Sequence, residues 1–212
     1  MQRGRLITIE GGEGAGKSTQ AALLAAALEQ SGIAVVATRE PGGSPDAEAI
    51  RRLLLEGAGE RWDAVSETLL LVAARRDHVE TLIAPALTRG KWVVCDRFAD
   101  STLAYQGWGR GVALEELRRL HRFALGEFAP DLTIILDLPV ATGLARAAAR
   151  PVAADRFERL DRDFHERLRQ GFRAIAAAEP ERAVLIDATP EPEAVYRAVR
   201  TAVESRLGIA LA

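Results

Sequence analysis

Residues 7 to 20 read ITIEGGEGAGKSTQ, an apolar run followed by a glycine-rich turn and then by Lys17, Ser18 and Thr19. From Gly11 onward the segment fits the pattern G-x-x-x-x-G-K-[ST]. Glycines allow backbone N–H groups to turn inward around an anion, and a helix that begins directly afterwards points its positive end at the same place. The spacing therefore predicts a phosphate-binding loop between a strand and a helix.

The residues of this loop have different expected tasks. Lys17 is expected to reach the β- and γ-phosphates of a nucleotide, and Ser18 to offer its hydroxyl to Mg²⁺. The bound nucleotide is expected to contact Gly11, Gly12, Glu13, Gly14, Ala15, Gly16, Lys17, Ser18 and Thr19. The alternative is an ordinary glycine turn with a surface lysine, which the strand before the turn and the helix after it disfavour.

The composition is that of an ordinary globular protein, with 48% hydrophobic and 27% charged residues. The net charge of −2 gives no general attraction to nucleic acid or to an anionic membrane, so neither is an expected partner. One cysteine, Cys95, cannot form an intramolecular disulfide, which fits a reducing cytoplasm. The short apolar run at the N-terminus predicts no signal peptide, and the chain has no apolar stretch long enough to predict a membrane span.

Five short apolar runs alternate with helical patterns along the chain. The runs are Leu6–Ile9, Ile33–Ala37, Trp92–Cys95, Leu132–Leu136 and Ala183–Ile186. Uninterrupted apolar strands separated by helices are typical of a parallel sheet that is buried on both faces. The sequence therefore predicts one three-layer α/β domain over residues 1–212, with a five-stranded parallel sheet between two layers of helices.

A charged or hydroxyl residue follows each run. These residues are Glu10, Thr38, Asp96, Asp137 and Asp187. In parallel sheets of this kind, ligands bind beyond the carboxyl ends of the strands. We therefore expect the functional site at that edge of the sheet.

Three further segments have recognisable patterns. An Ala/Leu-rich helix is predicted from Lys17 to Glu29. Ser66 is expected to cap a long helix that runs to about Ala84, because Pro85 follows it. Residues 146–156 are irregular and rich in arginine, and they are the candidate for a short lid.

Among proteins with a phosphate loop, a kinase for a small acceptor fits best. A GTPase would need an N-K-x-D motif to read its base, and this chain contains no Asn. A small-molecule kinase needs a second anion site that faces the loop and a mobile cationic cover that excludes water.

Several motifs follow one another in a characteristic order. They are G-x-E-G-x-G-K-S-T, T-R-E-P-G-G, A-A-R-x-x-H, D-R-F-x-x-S-T-x-A-Y-Q-G, P-D-L-T-I-x-L-D and D-R-F-E. Through them the chain resembles the thymidylate kinase family from Leu6 to about Leu207. The resemblance implies a P-loop NTPase fold, a homodimer, and transfer of the γ-phosphoryl group of ATP to dTMP with Mg²⁺.

The resemblance also implies roles on the phosphate side of the site. Arg97 is expected to bind the acceptor phosphate with two hydrogen bonds. Asp96 is expected to lie near Mg²⁺ and the attacking oxygen, and Arg39 to be a further phosphate ligand. For Asp96 the alternative is a simple ion pair with Arg97.

Recognition of the nucleoside follows from the same resemblance. Arg75 is expected to bind a thymine carbonyl, with a solvated arginine as the alternative. Leu71 is expected to cover the base, although most members of the family have a stacking Phe there. The implied dTMP contacts are Glu13 at the 3′-hydroxyl, Arg39, Leu71, Arg75, Arg97, Ser101, Thr102 at the pyrimidine edge, Tyr105 under the sugar, and Gln106. His78 is a further candidate for the base pocket.

The catalytic cation is expected from the lid. One subgroup of the family has an arginine inside the loop, at the position occupied here by Gly14. Arg150 and Arg146 are therefore expected to contact ATP and stabilise the transferred group, with Arg150 the first choice. Arg156 is expected to anchor the lid or to stack against adenine.

Two other functions stay open from the sequence. One is a kinase for another nucleoside monophosphate or for a deoxynucleoside. The other is a non-catalytic, regulatory P-loop ATPase that acts through a partner.

Overall fold

The computed structural model describes residues 3–56, 61–149 and 156–212. In these ranges five strands form a sheet in the order β2-β3-β1-β4-β5, and every neighbouring pair is parallel. The strands are β1 Leu6–Gly11, β2 Val35–Arg39, β3 Trp92–Asp96, β4 Leu132–Asp137 and β5 Ala183–Asp187. The predicted five-stranded parallel sheet is confirmed.

The second strand begins later than its apolar run. The run predicts a strand at Ile33–Ala37, whereas β2 spans Val35–Arg39. The backbone N–H of Ile33 donates to the carbonyl of Leu28 at 2.9 Å. Because this bond closes the end of the first helix, the chain becomes a strand only after it, and β2 extends to Arg39 at the edge where ligands are expected.

Helices surround the sheet. The α-helices of the described ranges are α1 Lys17–Gln30, α2 Pro45–Leu55, α3 Ala64–His78, α4 Ala84–Thr88, α5 Ala99–Thr102, α6 Leu114–Leu125, α7 Val140–Ala148, α8 Arg162–Ala178 and α9 Pro192–Leu207. A π-helical segment, Val79–Ile83, joins α3 to α4, and a second, Leu103–Gly109, continues α5.

Both faces of the sheet are covered. Ile7 and Ile134 pack in one apolar cluster with residues of α1 and α9. Leu6 packs on the other face with the π-helical segment before α4 and with α4 itself, and Ile135 packs there with α8. Since neighbouring strand residues point to opposite faces, this alternation confirms the three-layer architecture. No helix in the described ranges is long and apolar enough to cross a membrane.

The predicted long helix is wrong at both ends. Its cap is Asp63, whose Oδ1 accepts the N–H groups of Val65 at 2.9 Å and Ser66 at 3.0 Å. At the other end the helical path continues past Pro85, because the π-helical segment before α4 gives a wider turn where proline has no N–H to donate.

The predicted lid falls largely outside the described residues. Arg146 lies on α7, near its end at Ala148. Arg150 and the rest of residues 150–155 are outside the described ranges. The description resumes at Arg156, which is 2% exposed.

Candidate active site

The glycine loop connects β1 to α1, as the sequence predicts. Gly14 has a positive φ of 66°, and a Cβ atom built on it would lie 2.0 Å from the carbonyl oxygen of Gly143 on α7. The loop therefore packs against α7 so closely that a side chain at position 14 would collide with backbone. An arginine cannot occupy this position in the present arrangement.

Lys17 begins α1 and is buried at the base of the loop. Its Nζ donates to the carbonyl oxygen of Gly12 at 2.6 Å. Burial, with the nearby charge of Arg97, lowers the pKa of Lys17 to about 8, against the opposing effect of Glu13. A phosphate bound in the loop would favour the charged ammonium and raise this pKa again.

Ser18 and Asp96 meet where α1 faces the end of β3. The Ser18 hydroxyl donates to the Asp96 carboxylate. Hydroxyl and carboxylate oxygens are the donors that Mg²⁺ prefers in proteins. The two residues predicted to hold the metal therefore lie together, and their chemistry fits it.

Arg97 reaches back from the end of β3 to the glycine loop. It has a φ of 70°, which is uncommon for a side chain of this size. Its Nη1 donates to the carbonyl oxygen of Gly11 at 3.1 Å and its Nη2 donates to Glu13 Oε1 at 3.0 Å. Its ion pair is thus formed with Glu13 rather than with the neighbouring Asp96.

Glu13 joins the glycine loop to Arg97 and Tyr105. Besides Arg97, the hydroxyl of Tyr105 donates to its carboxylate. Burial alone would raise the pKa of Glu13, but the charges of Arg97 and Lys17 outweigh it and lower the pKa to about 2. Glu13 is therefore a carboxylate under all ordinary conditions and can accept a hydrogen bond from a sugar hydroxyl.

Glu10 was expected at the ligand-binding edge of the sheet, but the sequence assigned it no role. It lies inside β1 and is fully buried. Its Oε1 accepts the N–H groups of Phe98 at 2.7 Å and Ser101 at 3.3 Å, and the Ser101 hydroxyl donates to Oε2 at 2.5 Å. Glu10 thus holds the turn that carries Arg97. A carboxyl residue inside an otherwise apolar strand was the available signal.

Arg75 is buried rather than solvated, so the solvated alternative is wrong. Its Nε donates to Glu40 Oε2 at 2.7 Å. Its Nη2 donates to the carbonyl oxygen of Phe98 at 3.1 Å and to Thr102 Oγ1 at 2.9 Å. Leu71 lies one turn earlier on α3 and is half-buried. The helix therefore presents a fixed guanidinium and an apolar side chain to the same region.

His78 does not line the base pocket, so that expectation is wrong. It is fully buried behind Arg75 and contacts Glu40 and Thr38. Gln106 is also buried, and its Nε2 donates to Glu67 Oε1 at 2.8 Å.

A cavity of about 430 Å³ brings most of the predicted residues together. Its lining includes Glu13, Gly14, Gly16, Lys17, Ser18, Thr19, Arg39, Leu71, Arg75, Asp96, Arg97, Ser101, Thr102, Tyr105, Gln106 and Arg146. Gly11, Gly12 and Ala15 belong to the loop but are not among the lining residues. The sequence reasoning missed the lining residues Glu40, Pro41, Arg51, Leu55, Phe98, Phe157 and Glu158.

The outer arginines of the cavity are held in different ways. Arg39 is half exposed and its Nη2 donates to Glu48 at 2.9 Å. Arg146 donates to the carbonyl oxygens of Ala188 at 3.0 Å and Thr189 at 2.9 Å, in the loop after β5. Arg39 thus reaches the cavity from the end of β2, and Arg146 from the side of the glycine loop and α7.

Arg156 anchors the start of the described range 156–212. It is paired with the buried carboxylate of Glu67, and its Nε donates to the carbonyl oxygen of Leu54 at 3.1 Å. Because this guanidinium is buried, the expectation that it stacks against adenine is wrong, and the anchoring role fits.

A phosphate loop and a second cationic site that share one cavity define a P-loop kinase for a small phosphorylated acceptor. The family model for thymidylate kinase matches residues 9–199. The chain belongs to the thymidylate kinase family.

Similar proteins match over nearly the whole chain. A thymidylate kinase of Bradyrhizobium sp. (strain ORS 278) is 56% identical over 99% of this chain and 94% of its own length. One of Caulobacter vibrioides is 54% identical over 99% of this chain and 100% of its own length. The crystal structure of thymidylate kinase from Ehrlichia chaffeensis has a TM-score of 0.78 at 34% identity, and the match covers 95% of this chain and 99% of that one.

The buried carboxyl of Glu10 makes stability depend on pH. Burial, and next the charge of Asp100, raise the pKa of Glu10 from 4.5 to about 8 in the folded protein. The neutral Glu10 carboxyl therefore stabilises the folded protein fully below its ordinary pKa of 4.5. This stabilisation is lost as the pH rises through about 8. Glu10→Gln imitates the neutral acid, because its amide oxygen can accept the two N–H groups and its NH₂ can donate to Ser101.

We expect the wild type to lose about 2 kcal/mol of unfolding free energy relative to Glu10→Gln between about pH 6 and pH 9. Urea unfolding of both proteins across this range measures the difference. Because Lys17 and all other titrating groups are common to both, their effects largely cancel. Parallel stability curves for the two proteins would show that Glu10 does not titrate in this way.

Proposed function

We propose that this chain transfers the γ-phosphoryl group of ATP to the phosphate of dTMP, giving ADP and dTDP. One observation carries the proposal: Lys17 of the glycine loop and Arg97 from the end of β3 line the same cavity, with Arg75 and Thr102 also in its lining. That arrangement provides a place for two phosphate groups side by side and a set of donors for a base. Membership of the thymidylate kinase family supports the choice of acceptor.

Positioning and charge supply the catalysis. Lys17 and the N-terminus of α1 bind the β- and γ-phosphates, and Arg97 binds the acceptor phosphate. An oxygen of that phosphate attacks the γ-phosphorus as the bond to the β–γ bridging oxygen breaks, and ADP takes the electron pair. A phosphate oxygen is already a competent nucleophile near neutral pH, so no general base is needed.

Ser18 and Asp96 would hold Mg²⁺. A hydroxyl and a carboxylate oxygen suit this ion, which commonly takes one or two protein ligands and completes its coordination with phosphate oxygens and water. When bound, Mg²⁺ supplies positive charge to the phosphate oxygens during transfer. The chain's own contribution is to fix the two oxygens at the junction of α1 and β3.

The nucleoside end of the cavity favours a deoxyribose and a 4-oxo pyrimidine. Arg75 offers donors to a carbonyl, and Leu71 covers the face of the base. The ring of Tyr105 is held by edge contacts with Phe157 at 5.5 Å and Phe164 at 6.1 Å between centroids. Its hydroxyl is fixed on Glu13, so the ring forms a rigid wall where a 2′-hydroxyl would clash.

The acceptor preference tests this arrangement. We expect dTMP to be the best acceptor, dUMP the next, and the ribonucleotide TMP much poorer. Cytosine presents an amino group to the donors of Arg75, so dCMP should also be poor, as should dGMP. A coupled assay of ADP formation with this panel of acceptors measures kcat/KM for each. Equal turnover of dTMP with dCMP or dGMP would favour a different monophosphate kinase, and ADP formation without an acceptor would favour a regulatory ATPase.

The catalytic cation is proposed to come from the segment after α7. The contact of Gly14 with Gly143 leaves no space for an arginine in the glycine loop. Arg146 lines the cavity from α7, and Arg150 follows it by one helical turn in sequence. We keep Arg150 as the first candidate and Arg146 as the second.

Alanine variants of the two arginines separate the candidates. We expect Arg150→Ala to lower kcat by about 10³, the lower range for an arginine finger, with KM for dTMP little changed. If Arg146 rather than Arg150 supplies the catalytic cation, Arg146→Ala should show this loss of kcat instead. Arg162→Ala is a matched control, because that exposed arginine on α8 pairs only at the surface with Glu166. If both variants turn over like the control, the charge is supplied from elsewhere, with Arg97 and Arg39 the next candidates.

A homodimer is proposed through the outer faces of α3 and α6. Val65 and Leu69 lie one turn apart on α3 and are 59% and 53% exposed. Phe123 on the neighbouring α6 is 89% exposed. These three large apolar side chains are exposed on two helices that contact each other, and a second copy of the chain would bury them. The cytoplasmic location expected from the sequence also stays a prediction.

Sedimentation tests the dimer directly. The wild type should sediment as a dimer at micromolar concentration, and Phe123→Asp should shift it toward the monomer because the charge would be buried in the interface. Leu185→Asp serves as the control, since Leu185 is 40% exposed on β5 at an edge of the sheet. A monomeric wild type, or equal dissociation of both variants, would contradict the proposed interface.

A further inference from the structure

A row of polar side chains, all buried except the partly buried Thr38, lies next to Arg75. Thr38 and Glu40 come from the end of β2 and the residues after it, and Arg75 and His78 lie three residues apart on α3. His78 is fully buried and is not among the residues that line the cavity. We propose that His78, acting through Glu40, is a positioning residue that holds Arg75 in the orientation that selects a 4-oxo pyrimidine. This inference rests on the proposed contact between Arg75 and the base.

The carboxylate of Glu40 is divided between two partners. Its Oε2 accepts from Arg75 Nε at 2.7 Å, and its Oε1 lies 3.2 Å from His78 Nδ1. The other ring nitrogen, His78 Nε2, lies 2.8 Å from Thr38 Oγ1. With a neutral imidazole, Nδ1–H donates to the carboxylate while Nε2 accepts the Thr38 hydroxyl. Because the carboxylate can only accept, the contact with Glu40 places the proton on Nδ1 and leaves Nε2 to accept from Thr38.

The close packing of the loop after β2 keeps this row in place. A Cβ atom built on Gly43 would lie 2.3 Å from His78 Nε2 and 2.5 Å from Thr38 Oγ1. The loop therefore passes directly over the contact between the two side chains, and only glycine leaves room for it. The backbone N–H of Glu40 also donates to the carbonyl oxygen of Asp96 at 2.9 Å, which ties the loop to the end of β3.

The contacts of Arg75 explain why its orientation depends on Glu40. Nη2 is used by the carbonyl oxygen of Phe98 and by Thr102, and the guanidinium lies over the Phe98 ring at 5.3 Å. Nε is used by Glu40. Nη1 has no hydrogen-bond partner among the described residues, so it is the nitrogen available to a ligand. If the Glu40 carboxylate rotated, the guanidinium of Arg75 would rotate with it.

His78 is what prevents that rotation. A carboxylate held at one oxygen can turn about its last bonds, whereas one held at both oxygens cannot. Removing the imidazole N–H of His78 would leave Glu40 Oε1 buried with one contact fewer. The guanidinium of Arg75 would then no longer be held in one orientation. Discrimination between a carbonyl and an amino group depends on donor direction, so selectivity should fall before catalysis does.

The experiment compares variants of His78 in the full-length protein. His78→Leu has a similar size but no donor, and His78→Asn retains an N–H close to the place of Nδ1. We expect His78→Leu to raise KM for dTMP about tenfold and to lower the dTMP-to-dCMP ratio of kcat/KM by about tenfold, the scale of one lost hydrogen bond to a charged group. KM for ATP should stay unchanged, and His78→Asn should restore most of the selectivity.

Controls separate positioning from a merely structural role. His121→Leu removes a partly buried histidine whose Nε2 contacts the carbonyl oxygen of Phe128, and it should leave the selectivity unchanged. If His78→Leu fails to fold by circular dichroism, Thr38→Val carries the test, and it should raise KM for dTMP in the same direction by a smaller factor. Unchanged selectivity in a folded His78→Leu protein would overturn the proposal, as would an unchanged KM for dTMP in Thr38→Val where that variant carries the test.

One further variant distinguishes the positioning role of His78 from the proposed contact between Arg75 and the base. Arg75→Gln removes the cationic fork and should abolish the preference for dTMP over dCMP. If Arg75→Gln keeps the preference, the proposed base contact is wrong and the positioning role is overturned with it. If Arg75→Gln loses the preference while His78→Leu keeps it, only the positioning role is overturned.

Discussion

The carboxylate of Glu13 is where the two halves of the site meet. It accepts from Arg97 of the acceptor side and from the hydroxyl of Tyr105, and it lies close enough to Lys17 to influence its charge. One carboxylate therefore faces two buried cations. Burial, and next the charge of Arg97, lower the pKa of Lys17, and a bound phosphate group would favour its charged form.

The arrangement depends on a strained turn that buried groups hold in place. Arg97 has a positive φ, which costs an ordinary residue about 1–2 kcal/mol. Glu10 accepts hydrogen bonds from the backbone N–H groups of Phe98 and Ser101, which follow Arg97 in that turn. Asp100, one residue before Ser101, is held in turn by Arg182 with bonds of 2.7 and 3.0 Å. The position of Arg97 is thus set by residues far away in the chain, one in β1 and one directly before β5.

The sequence predicts most of the fold and of the cavity lining because those signals are local. A glycine loop between a strand and a helix, and polar residues at the ends of apolar runs, reveal the sheet and the edge where ligands bind. The late start of β2 was not predictable from hydrophobicity, since it depends on a backbone bond of Ile33. Nor could the pattern show that the helix continues past Pro85, because a wider helical turn accommodates that residue. The roles of Glu10 and His78 depend on partners 88 and 38 residues away, and no single-sequence pattern reveals such contacts.

In the proposed function, Lys17 stabilises the transferred phosphoryl group in a cavity shared by ATP and dTMP. The most direct measurement is kcat for phosphoryl transfer by Lys17→Ala, with circular dichroism to confirm the fold and Lys91→Ala as the matched lysine control. Loss of one such contact should lower kcat by about 10²–10³ while the fold and the control are unaffected. A correctly folded Lys17→Ala protein that turns over dTMP like the wild type would contradict the account.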